Sequence, residues 1–246
     1  MIMSFNTINE KIIIVVTNYL YNSVAEFESD ENCKLYMSNY HLEKELPIIQ
    51  SGNNPIPTPI LQQIQSNLPI ATYKTSDNRF KLTYNDLNKN ITFEISEIND
   101  DSIIFIKKLV DSFVDLKMSD VKAIGLNFIS QFDLGNNKLK ILNDKIETYM
   151  PNFKKNRTFQ LTLLLQLDDC VATYKIRKLS GGDDSGENRI YQIDSNFHFD
   201  VSLGTTQEKI NKISAITDNL SRKYLSSFKN ECNNILGMND GQEEKK

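Results

Sequence analysis

The chain has 246 residues, is 39% apolar with 13 Phe and 10 Tyr, and carries a net charge of −4. That length and apolar fraction suffice for a sizeable core, and the ordinary charged fraction of 24% excludes a disordered body. Nucleic acid is not favoured as a partner, since phosphate binding rests on a clustered basic excess and the runs Lys154-Lys155-Asn156-Arg157 and Lys175-Ile176-Arg177-Lys178 are short.

In chain order, Met1 to Glu10 lacks the charged-then-apolar pattern of a secretory signal, which leads to the expectation of a cytoplasmic protein. Cys33, Cys170 and Cys232, odd in number and far apart, suit a reducing compartment. The apolar run Lys11 to Leu20 is too short for a membrane span and reads as a buried strand. Ser51 to Pro55 reads as a loop, and Thr58-Pro59 as the start of a helix that Pro69 stops. Short strands follow near Ala71–Thr75, Arg79–Asn85 and Ile91–Glu97, a meander with polar turns. Asp100 or Asp101 opens a helix to about Leu116, with Ile103, Ile106, Leu109, Val110 and Phe113 on one face.

The second half repeats the scheme. Lys122 to Leu134 is a strand, followed by a polar segment with Gly135-Asn-Asn137 and Met150-Pro151. Phe159, Leu161, Leu163, Leu165 and Leu167 then alternate and predict a buried face. Asp168-Asp169 turns the chain into the strand Cys170–Leu179. Beyond a glycine-rich loop, Tyr191 to Leu203 alternates so regularly that one apolar and one wet face are expected. Thr205 and Glu208 have capping-box spacing and open a helix expected to run unbroken to about Leu236, with Gly237 at its end. The fold class is therefore α+β, with antiparallel meandering strands, a few packed helices and a long C-terminal helix. The parallel between the halves suggests an internal duplication. The expected division is an N-terminal half, 1–118, a C-terminal sheet plus long helix, 119–237, and a charged tail, 238–246.

No pattern of residues specifies a reaction. The Gly181-Gly182-Asp183-Asp184 run has the letters of a palm-type metal hairpin, where carboxylates hold Mg²⁺ for phosphoryl transfer, but Ser185-Gly186-Glu187-Asn188 lengthens the loop. Asp183 and Asp184 are the candidate metal ligands; Asp133 and Asp168 are both available as a third, and nothing selects either. Of two histidines, His198 shares a strand face with Gln192, Asp194, Asn196 and Asp200, a candidate interaction row, whereas His41 stands alone. No two Cys or His residues have zinc spacing, and there is no phosphate-binding glycine loop or nucleophile elbow. Tyr19, Tyr21, Tyr36 and Tyr40 are expected at the core edges of strands rather than on a recognition surface. No cofactor is expected.

The run Ala123-Ile-Gly-Leu-Asn-Phe-Ile-Ser-Gln-Phe-Asp133, the alternating strand with Ile193-Asp194, and the helix ending near Phe228 resemble an uncharacterised, sporadically distributed bacterial family. In that family a Gly-Leu-Arg-Tyr-Ile-Asn type strand precedes an Asp-containing strand and a terminal helix. Asn127-Phe128 stands where the family has Arg-Tyr, and Ser130 where it has Asn. The resemblance covers about 123–230 and implies a bacterial defence or toxin–antitoxin setting. The expectation is a non-enzymatic protein that binds another protein, with self-association through the C-terminal helix as one form of it. A SecB-like holdase, to which the meander closed by a long helix is similar, and a Mg²⁺-dependent phosphoryl-transfer enzyme are the alternatives.

Overall fold

The computed structural model describes residues 6–18, 21–45, 68–116, 121–133, 160–179 and 190–235. Nine strands are present: β1 (Asn6–Asn18), β2 (Glu43–Lys44), β3 (Ile70–Lys74), β4 (Phe80–Asn85), β5 (Asn90–Ile95), β6 (Val121–Asp133), β7 (Gln160–Gln166), β8 (Val171–Lys178) and β9 (Ile190–Asp200). The helices are α1 (Val24–Ser29), α2 (Glu31–Asn39), α3 (Asp100–Leu116), α4 (Thr206–Asp218) and α5 (Ser226–Ile235), with a π-helical turn, Leu220–Leu225, between the last two. The strands form one antiparallel sheet in the order β2-β3-β4-β5-β1-β6-β9-β8-β7, so the expected α+β class holds. Among the described residues no helix is long and apolar enough to cross a membrane. The expected helix after Thr58, the Phe159 position and the glycine-rich loop lie outside the described residues.

Backbone proximity groups the chain into two compact units, each assembled from separate stretches of sequence. The first comprises Met1–Ile12, Asn127–Phe197 and Asn219–Lys246; the second comprises Ile13–Leu126 and His198–Asp218. In the second unit the β3-β4-β5 meander pairs Tyr73 with Leu82 and Leu82 with Phe93, so every other side chain enters the core. Its turns pass through left-handed backbone at Asn78 (φ 57), a residue type that tolerates it, and at Lys89 (φ 48). Asp77 braces the first turn by accepting from the Arg79 amide at 3.1 Å and its Nε at 2.7 Å.

Two helices absent from the sequence reading cover this meander. The Ser23 hydroxyl accepts from the Glu26 amide (3.1 Å) while the Glu26 carboxylate accepts from the Asn22 amide (2.8 Å), a reciprocal cap for α1. Asp30 caps α2 through the Asn32 and Cys33 amides. Tyr21, Tyr36 and Tyr40 therefore belong to helical surroundings, which corrects the expectation of strand edges. Tyr36 is buried and donates to the Leu109 carbonyl of α3 at 2.8 Å, and Phe27 stacks on Tyr84 at 4.8 Å. α3 begins at Asp100 as expected, with Asn99 and Ser102 capping each other and Ile106, Leu109, Val110 and Phe113 buried. α4 follows the expected Thr205/Glu208 box and lies along α3, where the Thr217 hydroxyl donates to Asp111 (2.9 Å) and Lys107 meets Asp218 (2.6 Å).

In the first unit, Phe128, Tyr174, Phe197, Tyr224 and Phe228 make an aromatic core, all of them nearly or wholly inaccessible. Phe197 meets Phe128, Tyr174 and Tyr224 at ring separations of 5.6, 6.0 and 5.5 Å. The single helix expected over 205–236 is divided: α4 ends at Asp218, Asn219 makes a turn, and the π-helical turn leads into α5. The wide turn buries the adjacent residues Tyr224 and Leu225 together and brings Phe228 and Cys232 onto the core side.

Candidate functional site

The alternation over β9 is as expected on the apolar side, where Tyr191, Ile193, Phe197 and Phe199 are buried. The polar row is not uniformly wet. Gln192 is itself buried, and its Oε1 accepts from Gln131 Nε2 at 2.9 Å while its Nε2 donates to Asp194 Oδ1 at 2.6 Å. Asp194 Oδ2 meets Arg177 at 3.0 Å, and Asn196 donates to Asn127 Oδ1 at 2.6 Å. These bonds join β6, β9 and β8 across one face of the first unit. They use Gln192, Asp194 and Asn196 to link neighbouring strands of the sheet.

His198 and Asp200 are exposed and belong to the second unit. Asp200 is held below the usual carboxylate range, first by the Ser202 hydroxyl and then by the Ser202 amide. The five residues of the row therefore split between a structural network and a solvated strand end.

Candidate chemistry elsewhere is thin. Among the described residues no three His, Cys, Asp or Glu side chains come together to hold a metal ion. Asp183 and Asp184 lie outside the described residues, while Asp133 and Asp168 are exposed at a strand end and a turn. His41 is exposed and follows α2 in the left-handed conformation (φ 51). Cys33, Cys170 and Cys232 are free and buried. Burial, then the nearby Asp169 charge, pushes the Cys170 thiol up to about 11, and burial raises Cys33 too, so neither is a thiolate at neutral pH. A groove of about 260 Å³ opens beside α1 and α2, but its carboxylate, Glu28, is already engaged by the Tyr73 hydroxyl (2.6 Å) and Lys44.

The β7–β8 hairpin has a different character. Leu167 and Cys170 close its two-residue turn with an amide-to-carbonyl bond of 2.9 Å. Asp169, in that turn, accepts from the Tyr224 hydroxyl at 2.6 Å and from Lys223 at 2.8 Å, so the π-helical turn clamps the hairpin tip. The ladder pairs Leu161 with Ile176, Leu163 with Tyr174 and Leu165 with Ala172.

β7 is nonetheless the last strand of the sheet, with a neighbour on one side only among the described residues. Its Leu163 is half-buried, Leu165 is 40% exposed and Leu164 is 71% exposed. The expected buried face is thus only partly covered at Leu163, Leu165 and Leu167, because a terminal strand receives flanking side chains from a single neighbour.

The two terminal strands of the sheet differ sharply. β2 has two residues, Glu43 and Lys44, both charged, and such a short charged edge offers little to a passing strand. β7 has seven residues, Gln-Leu-Thr-Leu-Leu-Leu-Gln, without a charge, a proline or a glycine. Its outer row of backbone donors and acceptors is therefore accompanied by apolar side chains, the combination that draws another strand. Compared with known proteins, the chain matches no family model and no curated sequence.

Proposed function

We propose that the chain is a non-enzymatic interaction protein that docks an extended segment of a protein partner on the outer edge of β7. The observation that carries this reading is the uncharged terminal strand with Leu164 and Leu165 exposed, beside Val171 at 39% exposure on β8. Strand addition would satisfy the outer backbone groups through main-chain bonds, while leucines on both faces supply apolar contact. The engaged carboxylates and protonated thiols described above supply no competing chemistry. A place in a bacterial defence or toxin–antitoxin system is what the resemblance over 123–230 implies, and a docking edge is the part such a role would use.

A photo-crosslinking residue placed at Leu164 or Leu165 of the full chain in its native cells tests the reading. Leu87 and Leu203, 72% and 86% exposed, serve as controls. Discrete protein adducts are expected from the two edge positions only, and they should disappear when Thr162→Pro is added. Adducts of the same pattern at Leu87 and Leu203, or none at the edge, would rule the reading out.

A further inference from the structure

The hairpin geometry fixes which backbone groups of β7 face outward. Leu167 bonds Cys170 across the turn, and narrow and wide pairs alternate along an antiparallel ladder. Leu165, Leu163 and Leu161 therefore direct their N–H and C=O groups to β8. Gln160, Thr162, Leu164 and Gln166 direct theirs to the side of β7 that has no neighbouring strand among the described residues. Around Leu163 the strand reads nearly the same in both directions: Gln160 mirrors Gln166 and Leu161 mirrors Leu165, while Thr162 stands opposite Leu164 as the one unlike pair.

We propose that the occupant of this edge is a second copy of the chain, with the two β7 strands antiparallel about a two-fold axis through Leu163. The proposal rests on the edge-docking reading and names its partner. In this register each outward-facing residue meets an outward-facing residue: Thr162 lies opposite Leu164 of the second copy, and Gln160 opposite Gln166, each pair exchanging both N–H···O bonds. Leu163 meets its own symmetry mate at a non-bonded position, where side chains approach most closely. Leu165 lies opposite Leu161, and the Leu164 side chains of the two copies become diagonal neighbours, so both exposed leucines gain apolar company. A self-complementary patch is what a two-fold interface requires, and the absence of charge on β7 means that neither copy brings a like charge opposite its own.

Three variants and the full-length wild type test this. Sedimentation of the wild type at tens of micromolar should give a mass about twice 28.3 kDa. Thr162→Pro removes an outward N–H without touching the β8 ladder, and an edge strand tolerates proline on that side. It should return the mass to 28.3 kDa while the far-ultraviolet dichroism is unchanged.

Leu163→Cys places two thiols across the axis with a Cα separation of about 4.5 Å, within disulfide range. On mild oxidation it should form covalent dimer at least ten-fold faster than Leu164→Cys, and the buried native cysteines contribute little background. The cysteine comparison decides the register even if the proline variant fails to fold. The inference is overturned by a wild type that stays at 28.3 kDa at 100 micromolar, by a folded Thr162→Pro that remains dimeric, or by Leu164→Cys crosslinking as fast as Leu163→Cys. A monomeric wild type whose Leu164 crosslinks to a different protein in cells would sink self-pairing and leave edge docking standing. A monomer with no adduct would sink both.

Discussion

The clamp at the hairpin tip is open to a quantitative test through Tyr224→Phe. The substitution keeps the ring, which is 2% exposed and packed 5.5 Å from Phe197, and deletes only the hydroxyl that donates to Asp169 at 2.6 Å. A hydrogen bond to a charged acceptor contributes about 1.5–3 kcal/mol. The Asp169 side chain is 40% exposed, so water can replace the lost donor, and the lower end, about 1.5 kcal/mol, is expected. For a chain of this size that corresponds to a fall of roughly 3–6 °C in thermal midpoint. Lys223→Gln removes the other donor to the same oxygen, but that pair lies in solvent at 47% and 40% exposure and should cost about 0.5 kcal/mol or less.

The sign of the pH dependence follows from Asp169. Partial burial pulls its carboxyl up, yet the hydrogen bonds from Lys223 and Tyr224 and the Lys223 charge together outweigh that and hold it below the ordinary value. A carboxyl depressed in the folded state stabilises the fold above its unfolded pKa, about 3.9, and that contribution is lost as pH falls through the folded value. The gap between wild type and Tyr224→Phe should therefore be full at pH 7 and shrink below about pH 4. Urea melts at pH 7 and pH 3 measure it. A larger loss from Lys223→Gln than from Tyr224→Phe, or a gap that grows toward acid, would refute the clamp.

Three other substitutions probe separate parts of the structure. Gly204 has φ +103, and a Cβ there would come within 2.9 Å of the Glu208 carboxylate that caps α4, so Gly204→Ala should lower stability by about 1–3 kcal/mol by denaturant melting. Ser195 is 2% exposed on the apolar side of β9, and its hydroxyl has no hydrogen-bond partner among the described residues, so Ser195→Ala should be neutral or stabilising by about 1 kcal/mol; a loss above 1 kcal/mol would show that the hydroxyl is bonded. Leu163→Asp, on a half-buried edge position, should cost about 1–3 kcal/mol rather than the 3–5 of a sealed core, because the carboxylate can reach water. A loss beyond 4 kcal/mol in the same assay would place Leu163 in the interior.

The strands were legible wherever period-two alternation was long, as in Tyr191 to Phe199, because one buried face imposes that pattern locally. The Thr205/Glu208 cap was equally plain, since its two partners are three residues apart. α1 and α2 were not seen: with six and nine residues they are too short for a periodic stripe, and the signals present were the Ser23–Glu26 box and the Asp30 cap. The π-helical turn also left a trace, for Leu220, Tyr224, Phe228 and Cys232 recur at four residues, a spacing longer than an α-helix sustains on one face. Sheet order was not legible. Alternation says which face of a strand is apolar but not how many neighbours the strand has, and so Leu163 and Leu165 read as core although β7 is the last strand among the described residues.

The same distinction between central and edge strands separates β9 from β7. The β9 row looked available because its polar residues alternate with core residues, yet a central strand has neighbours on both sides. Gln192, Asp194 and Asn196 spend their hydrogen bonds on β6 and β8. At an edge the reasoning runs the other way, for the leucines that would be unremarkable in a central strand become accessible area. The hairpin is also held before any partner arrives: seven register pairs join it to β8, the Leu167–Cys170 bond closes its turn, and Asp169 fixes the tip to Lys223 and Tyr224. Association is opposed by the entropy of ordering the joining segments, and a strand already held by its ladder loses little of it. An edge so constrained leaves most of the ordering cost on the incoming segment. When that segment is another β7, equally preordered, the cost is small on both sides, which favours pairing of like with like over capture of a disordered peptide.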